Sequence, residues 1–389
     1  MGKWTASVLN ALLITLLSVV LSKLVIYELT SINTLAPASK VSDWRLTDIY
    51  NTVAADRLNV PGDPDVVVID IDTASRRTIS SLINAVNFCS PKAVGLDVIF
   101  KYPSDDGLAE AIQACENIVL PRNLQYDGLS HSFSERYDSF FYDDLTDKEF
   151  GAVNFIANDV YDVVREFRPF FNVGERTVDN FSSALVRLAC PEKYEILTRR
   201  GNETEIIYYP SADFSVFGIP DVLDEEGFCR IDVMDDLEGK IVLIGDMHNK
   251  SDMFLTPIGD SVPGIEIHAR TVSTILYERY ISHTSVFVDW AIALLCCFLL
   301  ALAGQLRERV TGFKDTLSFL VRILQITILY VFILIGARRF IEHNQYMDFS
   351  VSLMMVGLCA LATDVYKGLA EIVNFIYTRI RQGKSIKNS

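Results

Sequence analysis

Four long apolar runs constrain this chain more than any other feature, because each is long enough to cross a bilayer. Val8–Tyr27 carries Lys23 and a few hydroxyl residues. Val286–Gly304 holds Asp289 near its start, Leu317–Gly336 contains Arg322 and Gln325, and Phe349–Val365 ends beside Asp364. A spanning helix needs ~20 mostly apolar residues, and the last run is at the short end of that range. Half of the 389 residues are hydrophobic, and the mean hydropathy is +0.25, above that of an ordinary soluble domain. The first apolar run exceeds the roughly 7–15 residues of a signal-peptide core. The Ala36-Pro37-Ala38 triplet that resembles a cleavage site lies far from it, so the run reads as an uncleaved anchor.

Lysine and arginine placement orients the runs. Lys3 precedes the first. Arg307, Arg309 and Lys314 separate the second and third, and Lys367, Arg379, Arg381, Lys384 and Lys387 follow the fourth. Arg338 and Arg339 lie between the third and fourth. The positive-inside rule then places both termini in the cytoplasm and the block 30–285 outside. The expected organisation is an anchor at 1–29, an extracytoplasmic domain at 30–285, three spans at 286–366 and a short basic tail at 367–389.

The outer block holds 42 acidic and 22 basic residues, a net charge of −20 against −15 for the whole chain. Such a field repels polyanions, so nucleic-acid binding is excluded. It suits solubility, with a cationic ligand or divalent ion as the narrower reading. Of seven cysteines, Cys296, Cys297 and Cys359 fall in apolar runs, and Cys89, Cys115, Cys190 and Cys229 fall in the outer block. No CxxC or metal-ligand spacing occurs. Cys89 and Cys115 each end a helix just before a strand. They are expected either as a disulfide in an oxidising compartment or as buried thiols.

Within the block, the period of apolar residues gives the elements. A helix is expected over Val41–Leu58, broken by Pro61-Gly62-Asp63-Pro64. Strands Val66–Ile69, Ala93–Phe100 and Ile118–Leu120 alternate with helices over Ala74–Phe88 and Asp105–Cys115. This β-α-β-α-β order implies a doubly wound, mostly parallel α/β sheet. Arg122–Phe150 is acidic and aromatic (Tyr126, Phe133, Tyr137, Phe140, Phe141 and Tyr142), without clear period. Ala152–Ile156 suggests another strand. Two β-hairpins are expected, one turning at Asn172–Glu175 and one at Arg200-Gly201-Asn202 between Tyr194–Leu197 and Glu205–Tyr209. Phe181–Ala189 reads as an amphipathic helix and Asp213–Glu226 as irregular. A buried strand at Lys240–Gly245 then delivers a polar loop, and Ile265–Arg279 is a helix returning toward the second run. No repeat or low-complexity tract is present. Beyond the last run, Leu369, Ile372, Val373, Ile376 and Ile380 share one helical face, which fits a helix at the anionic inner surface.

These pieces carry a resemblance. DPDVVVIDID at Asp63–Asp72, PKAVGLDVIF at Pro91–Phe100, NIVLP at Asn117–Pro121 and VVREFRPFF at Val163–Phe171 occur in order. GKIVLIG at Gly239–Gly245, Asp252, Thr256-Pro257 and PGIEIHA at Pro263–Ala269 follow. Together they resemble the second type of CHASE domain, the extracytoplasmic sensory domain associated with bacterial cyclases and histidine kinases. The order of one anchor, the domain and three spans is similar too. The resemblance implies sensing without catalysis by this domain. After GKIVLIG the chain has Asp246-Met247-His248 where the family usually has a small-residue turn. About two dozen residues follow the last run. No kinase or cyclase fits there, so output is expected through a separate signalling or membrane protein, with a homodimer as a further option.

The candidate ligand-binding residues are Asp70, Asp72, Asp97, Asp246, His248, Asp252 and Thr256, at or just beyond strand ends, where ligands bind in open α/β sheets. The ligand is expected to be a small molecule, ion or envelope component. The competing reading for each aspartate is a helix or turn cap. No catalytic residue, metal site or cofactor is assigned. Asp70-Ile71-Asp72 departs from the DxDxT phosphatase signature because Ala74 takes the fifth position, and no donor-binding glycine loop supports a glycosyltransferase. A metal-dependent hydrolase is therefore the weakest reading, behind a scaffolding subunit of an envelope complex. His268 reads as a packing or hydrogen-bonding residue. Arg322, inside the third run, is expected either to snorkel or to face Asp289, Asp364 or another protein.

Overall fold

The computed structural model describes residues 3–35, 45–57, 63–103, 106–127, 132–139, 141, 145–155, 163–201, 204–210, 214–307, 309, 312 and 314–387. The chain divides into two compact units, 47–281 and 1–46 with 282–389. Phe140, Tyr142, Ile156, Asn202 and the Ala36–Ala38 triplet lie outside the described residues.

Unit 47–281 runs α1 (Leu46–Arg57, whose first residue counts with the other unit), β1 (Val66–Asp70), α2 (Arg76–Phe88), β2 (Ala93–Asp97), α3 (Leu108–Ala114) and β3 (Ile118–Arg122). Next come β4 (Leu124–Asp127), β5 (Ser132–Glu135), β6 (Glu149–Ala152), β7 (Phe170–Val173), β8 (Arg176–Asp179), α4 (Phe181–Ala189) and α5 (Pro191–Arg200). The last elements are β9 (Ser215–Gly218), β10 (Ile241–Gly245), β11 (Met253–Thr256), β12 (Gly259–Pro263) and α6 (Gly264–Leu276). Six strands form one sheet in the order β9-β1-β10-β2-β3-β6, with every neighbouring pair parallel. A strand covered on both faces needs apolar residues at every position, and this explains the unbroken runs. Val67, Ile69, Val94, Leu96, Val242 and Ile244 face one core, built with α2 and α3. Val66, Val68, Ala93, Ile241 and Leu243 face a second, built with α4 and α6.

Local chemistry sets the helix ends. The Ser75 hydroxyl accepts from the Thr78 amide and starts α2. The Asn180 side chain accepts from the Ser182 amide at 2.9 Å and starts α4; such caps are worth about 1 kcal/mol. The aspartates before β1 hold the far end of α6. Asp63 accepts from Ser273 and Arg279, and Asp65 accepts from the Tyr277 hydroxyl at 2.7 Å.

Several expectations are corrected. The hairpin expected around Arg200-Gly201-Asn202 is absent, because 191–200 is helix α5 with Pro191 in its first turn. Glu205–Ile206 pairs instead with Glu166–Phe167. The stretch expected to be irregular at Asp213–Glu226 supplies edge strand β9, parallel to β1. Arg122–Phe150 contains β4 and β5, which join β7 and β8 in a second four-stranded sheet. The hairpin β7–β8 forms as expected, antiparallel from Phe170↔Asp179 to Val173↔Arg176. The strand expected at Ala152–Ile156 ends at Ala152. Cys115 is not the neighbour of Cys89: its thiol reaches the Asn117 Oδ1 at 3.4 Å, and the Cys89 sulfur lies 3.1 Å from that of Cys229.

Among its described residues the other unit has four helices long and apolar enough to cross a membrane, the candidate spans being Trp4–Val25, Val286–Arg307, Thr316–His343 and Ser350–Ile380. Polar side chains link them. Asn10 donates to Gln305 at 3.2 Å, Tyr366 donates to Asn10 at 2.8 Å, and Gln325 donates to the Val356 carbonyl at 2.6 Å. Arg322 shares a small crevice with Asp364 and Gln325. The last helix runs unbroken from Ser350 to Lys387, so the residues after 366 continue it.

Candidate functional site

Parallel strands place all their carboxyl ends on one edge. From there β1 leads into α2 on one face, whereas β10, lying beside β1, leads through β11–β12 into α6 on the other. Neighbouring strands whose connections diverge leave a crevice between them. The crevice holds a cavity of about 1030 Å³, lined by residues that follow β1, β2, β3, β6 and β10.

The seven candidate residues divide. Asp72, Asp97, Asp246 and Asp252 line the cavity. Asp70, His248 and Thr256 are not in its wall. Asp70 acts as a clamp: its Oδ1 accepts from the amides of Asp72 (3.1 Å) and Met247 (3.0 Å), and its Oδ2 sits 3.0 Å from the His248 Nε2. This ties β1 to the turn after β10. Thr256 is buried in the β11–β12 hairpin, and its hydroxyl donates to the Gly259 carbonyl at 3.2 Å. Asp72 holds a left-handed backbone, φ +42°, a conformation that aspartate tolerates better than most residues.

The inner wall is built from acceptors. The carboxylates of Asp97 and Asp252 have no hydrogen-bond partner among the described residues. Burial, followed by the charge of Asp252, pushes Asp97 up to about 7. Burial, followed by the charge of Asp246, pushes Asp252 up to about 6. Asp252 lies directly over the first residue of α6: a Cβ on Gly264 would come within 2.7 Å of its Oδ2. Only glycine permits that approach. Gly245, at the tip of β10, serves the same purpose against Ile265, whose Cδ1 would lie 2.6 Å from an added Cβ.

His268 completes the wall. It is 1% exposed, and burial lowers its pKa to about 3, so the ring is neutral. The ring packs at a tilt on Phe155 and edge-to-face with Phe181, with centroids 4.6 and 5.0 Å away. The Ser182 hydroxyl donates to the His268 carbonyl at 3.1 Å and therefore accepts from Nδ1–H at 3.2 Å. Nε2 is left as an acceptor without a partner among the described residues. The sequence reading of His268 as a hydrogen-bonding residue describes Nδ1; its place in the cavity wall follows from the packing of α6 on α4 and was not visible in the local sequence.

Both signs line the rest of the cavity, where Asp72 and Asp138 accompany the cations Arg76, Lys101 and Arg136, and the Arg136 Nε lies 3.5 Å from the Asp138 Oδ2. Arg76 is held by the Tyr102 carbonyl at 2.5 Å and lies over the Phe100 ring. Apolar wall is supplied by Ile71, Phe100, Phe155 and Phe254. Among the described residues no three His, Cys, Asp or Glu side chains converge as a metal-ligand group. Ser182 is fully buried behind the imidazole and does not line the cavity. The arrangement can bind and orient a molecule by hydrogen bonds and charge.

No curated protein and no solved structure matches the chain. The family model of the CHASE2 domain matches residues 17–305, most of the chain, and the protein therefore belongs to the CHASE2 family of sensory domains.

Proposed function

We propose that this protein is a bacterial multi-pass membrane sensor whose strand-end cavity takes a small ligand bearing a protonated amine. In this reading the domain 30–285 is a doubly wound sheet outside the inner membrane, and both termini are cytoplasmic. One observation carries the ligand class: Asp97, Asp252 and the His268 Nε2 form a wall of unpaired acceptors. All three residues line the cavity, Asp97 and Asp252 being half-buried, so a donor that enters it can reach them. An ammonium group supplies donors to all three and cancels the mutual repulsion of the carboxylates. Arg76 and Lys101, which also line the cavity, favour a carboxylate or phosphate at the ligand's other end.

The same geometry gives the signal a route. A ligand that recruits the Asp252 carboxylate acts on the first residue of α6, and nine residues separate the end of α6 from the Val286–Arg307 helix. Ligand binding favours one arrangement of these helices, and a separate membrane or cytoplasmic protein reads it. On the last helix Leu369, Ile372, Val373, Ile376 and Ile380 are each more than half exposed. That stripe also favours a second reading, a scaffolding subunit of an envelope complex. Crosslinking in membranes separates the two, because a scaffold keeps a constant stoichiometric partner whatever ligand is present.

The decisive experiment is thermal denaturation of the detergent-solubilised full chain against amino acids, polyamines, amino sugars and simple carboxylates. Amine-bearing compounds are expected to raise the melting temperature, and Asp97→Asn and His268→Phe to abolish the increase. An increase confined to amine-free anions, or one unchanged in Asp97→Asn, would overturn the reading.

A further inference from the structure

The strongest unassigned feature lies away from the cavity. Cys89 caps the carboxyl end of α2 and is buried. Its sulfur is 3.1 Å from that of Cys229, about 1 Å beyond the ~2.05 Å length of a disulfide bond. The two residues are 140 positions apart in sequence. The other cysteines of this unit are engaged elsewhere, Cys115 with Asn117 and Cys190 with Glu192, so the pairing has no competitor among the described residues.

The place of Cys229 explains what a bond would do. It belongs to a tight turn in which the Asp224 amide donates to the Phe228 carbonyl and Cys229 bridges Leu223. This turn lies in segment 221–238, between edge strand β9 and central strand β10. The segment holds eight acidic residues and one basic residue, Arg230. It is held to the body by Val222, Leu223, Val233 and Leu237, which pack into the core with α2. Eight like charges on four apolar anchors repel one another, and a covalent tether to α2 opposes that repulsion.

We propose that Cys89 and Cys229 are a redox pair that closes to a disulfide in an oxidising compartment and fastens the acidic segment to α2. The inference rests on the outward placement of the domain given above. The chemistry is thiol–disulfide exchange, with the disulfide of a thiol oxidoreductase as oxidant. The partly exposed Cys229, as thiolate, attacks one sulfur of that disulfide, and a mixed disulfide forms as the oxidoreductase's other sulfur leaves as thiolate. The Cys89 thiolate then attacks the Cys229 sulfur, and the oxidoreductase departs as a dithiol. The two cysteine protons end on the oxidoreductase's sulfurs, and its disulfide is reduced as this pair is oxidised. Burial, then the adjacent Cys229 thiol, pushes Cys89 up to about 12, so Cys229 is the entry point and Cys89 the resolving thiol. Phe228 and Ile231, 70% and 87% exposed on either side of Cys229, leave that approach open.

The test is peptide mapping of the full chain without reduction, from acid-quenched, alkylated membranes and from purified protein oxidised with diamide. A linked peptide pair carrying Cys89 and Cys229 is expected in both samples. Reduction is expected to lower the melting temperature of the wild type by several degrees and to leave Cys229→Ser unchanged. Free alkylated Cys89 and Cys229 after diamide, or a bond from Cys89 to Cys115, would overturn the pairing. A bond formed by diamide but absent from membranes would uphold the pairing and count against the outward placement instead.

Discussion

Asp97 shows how a half-buried, desolvated acid couples the domain's stability to pH. Its folded-state pKa of about 7 stands above the ordinary value of 3.8 expected in the unfolded chain, first through burial and then through Asp252. The protonated form is favoured in the folded state, so the associated stability is fully present below pH ~4. It is lost as pH rises to about 7. Asp252, raised to about 6, adds the same sign over a narrower window. Asp97→Asn should therefore leave stability unchanged at pH 4 and raise it by ~1–3 kcal/mol at pH 8, measured as melting of the full chain in detergent across that range. A variant equally or less stable at pH 8 would remove the desolvation account. At this scale the sequence was half legible. Asp97, Asp246 and Asp252 could be placed because a residue ending or following a β-branched run sits at a strand's carboxyl edge. That Asp70 would be occupied by the Met247 amide and His248 depended on β10 settling beside β1, across 177 positions.

Among elements, α6 and the turn that leads into β11 are joined by the close approach of the Asp252 carboxylate to Gly264. Gly264→Ala is expected to cost about 1–2 kcal/mol, because the added methyl displaces a packed carboxylate. In an Asp252→Ala background the same change should be neutral or slightly stabilising, since alanine favours helix. A double-mutant cycle on melting curves measures the difference, and additive effects would mean that the contact carries no energy. Buried elements were the ones that the sequence announced. β1, β2, β3 and β10 are nearly continuous apolar runs because both faces are covered, and α2 and α4 repeat at three and four residues. Edge strand β9 was missed since Ser215 and Val216 are exposed and leave no two-sided signal. Helix α5 was missed because only Leu197 of its ten residues is buried; the overlooked cue was Pro191, which suits a first helical turn.

For the whole molecule, the expected sidedness makes a direct prediction. Reporter fusions after the Asp97 loop and after Lys387 should report opposite sides of the membrane, with phosphatase activity at the first and cytoplasmic fluorescence at the second. Signals from the same side would overturn the topology and the sensing direction with it. The strand order also governs how the domain is made. β10 lies between β1 and β2 and is hydrogen-bonded to both, yet it follows them by some 140–170 residues and is the last strand to enter the sheet. Until residue 245 has been delivered, the β9–β1 pair and the β2–β3–β6 trio have no shared partner, and each exposes an unsatisfied edge. Pairing over such separations is slow and leaves edges open to other chains. A nascent chain of this protein therefore depends on being shielded until its keystone strand arrives, and a polypeptide cut short before Ile241 would be left as two fragments of a sheet with nothing to join them.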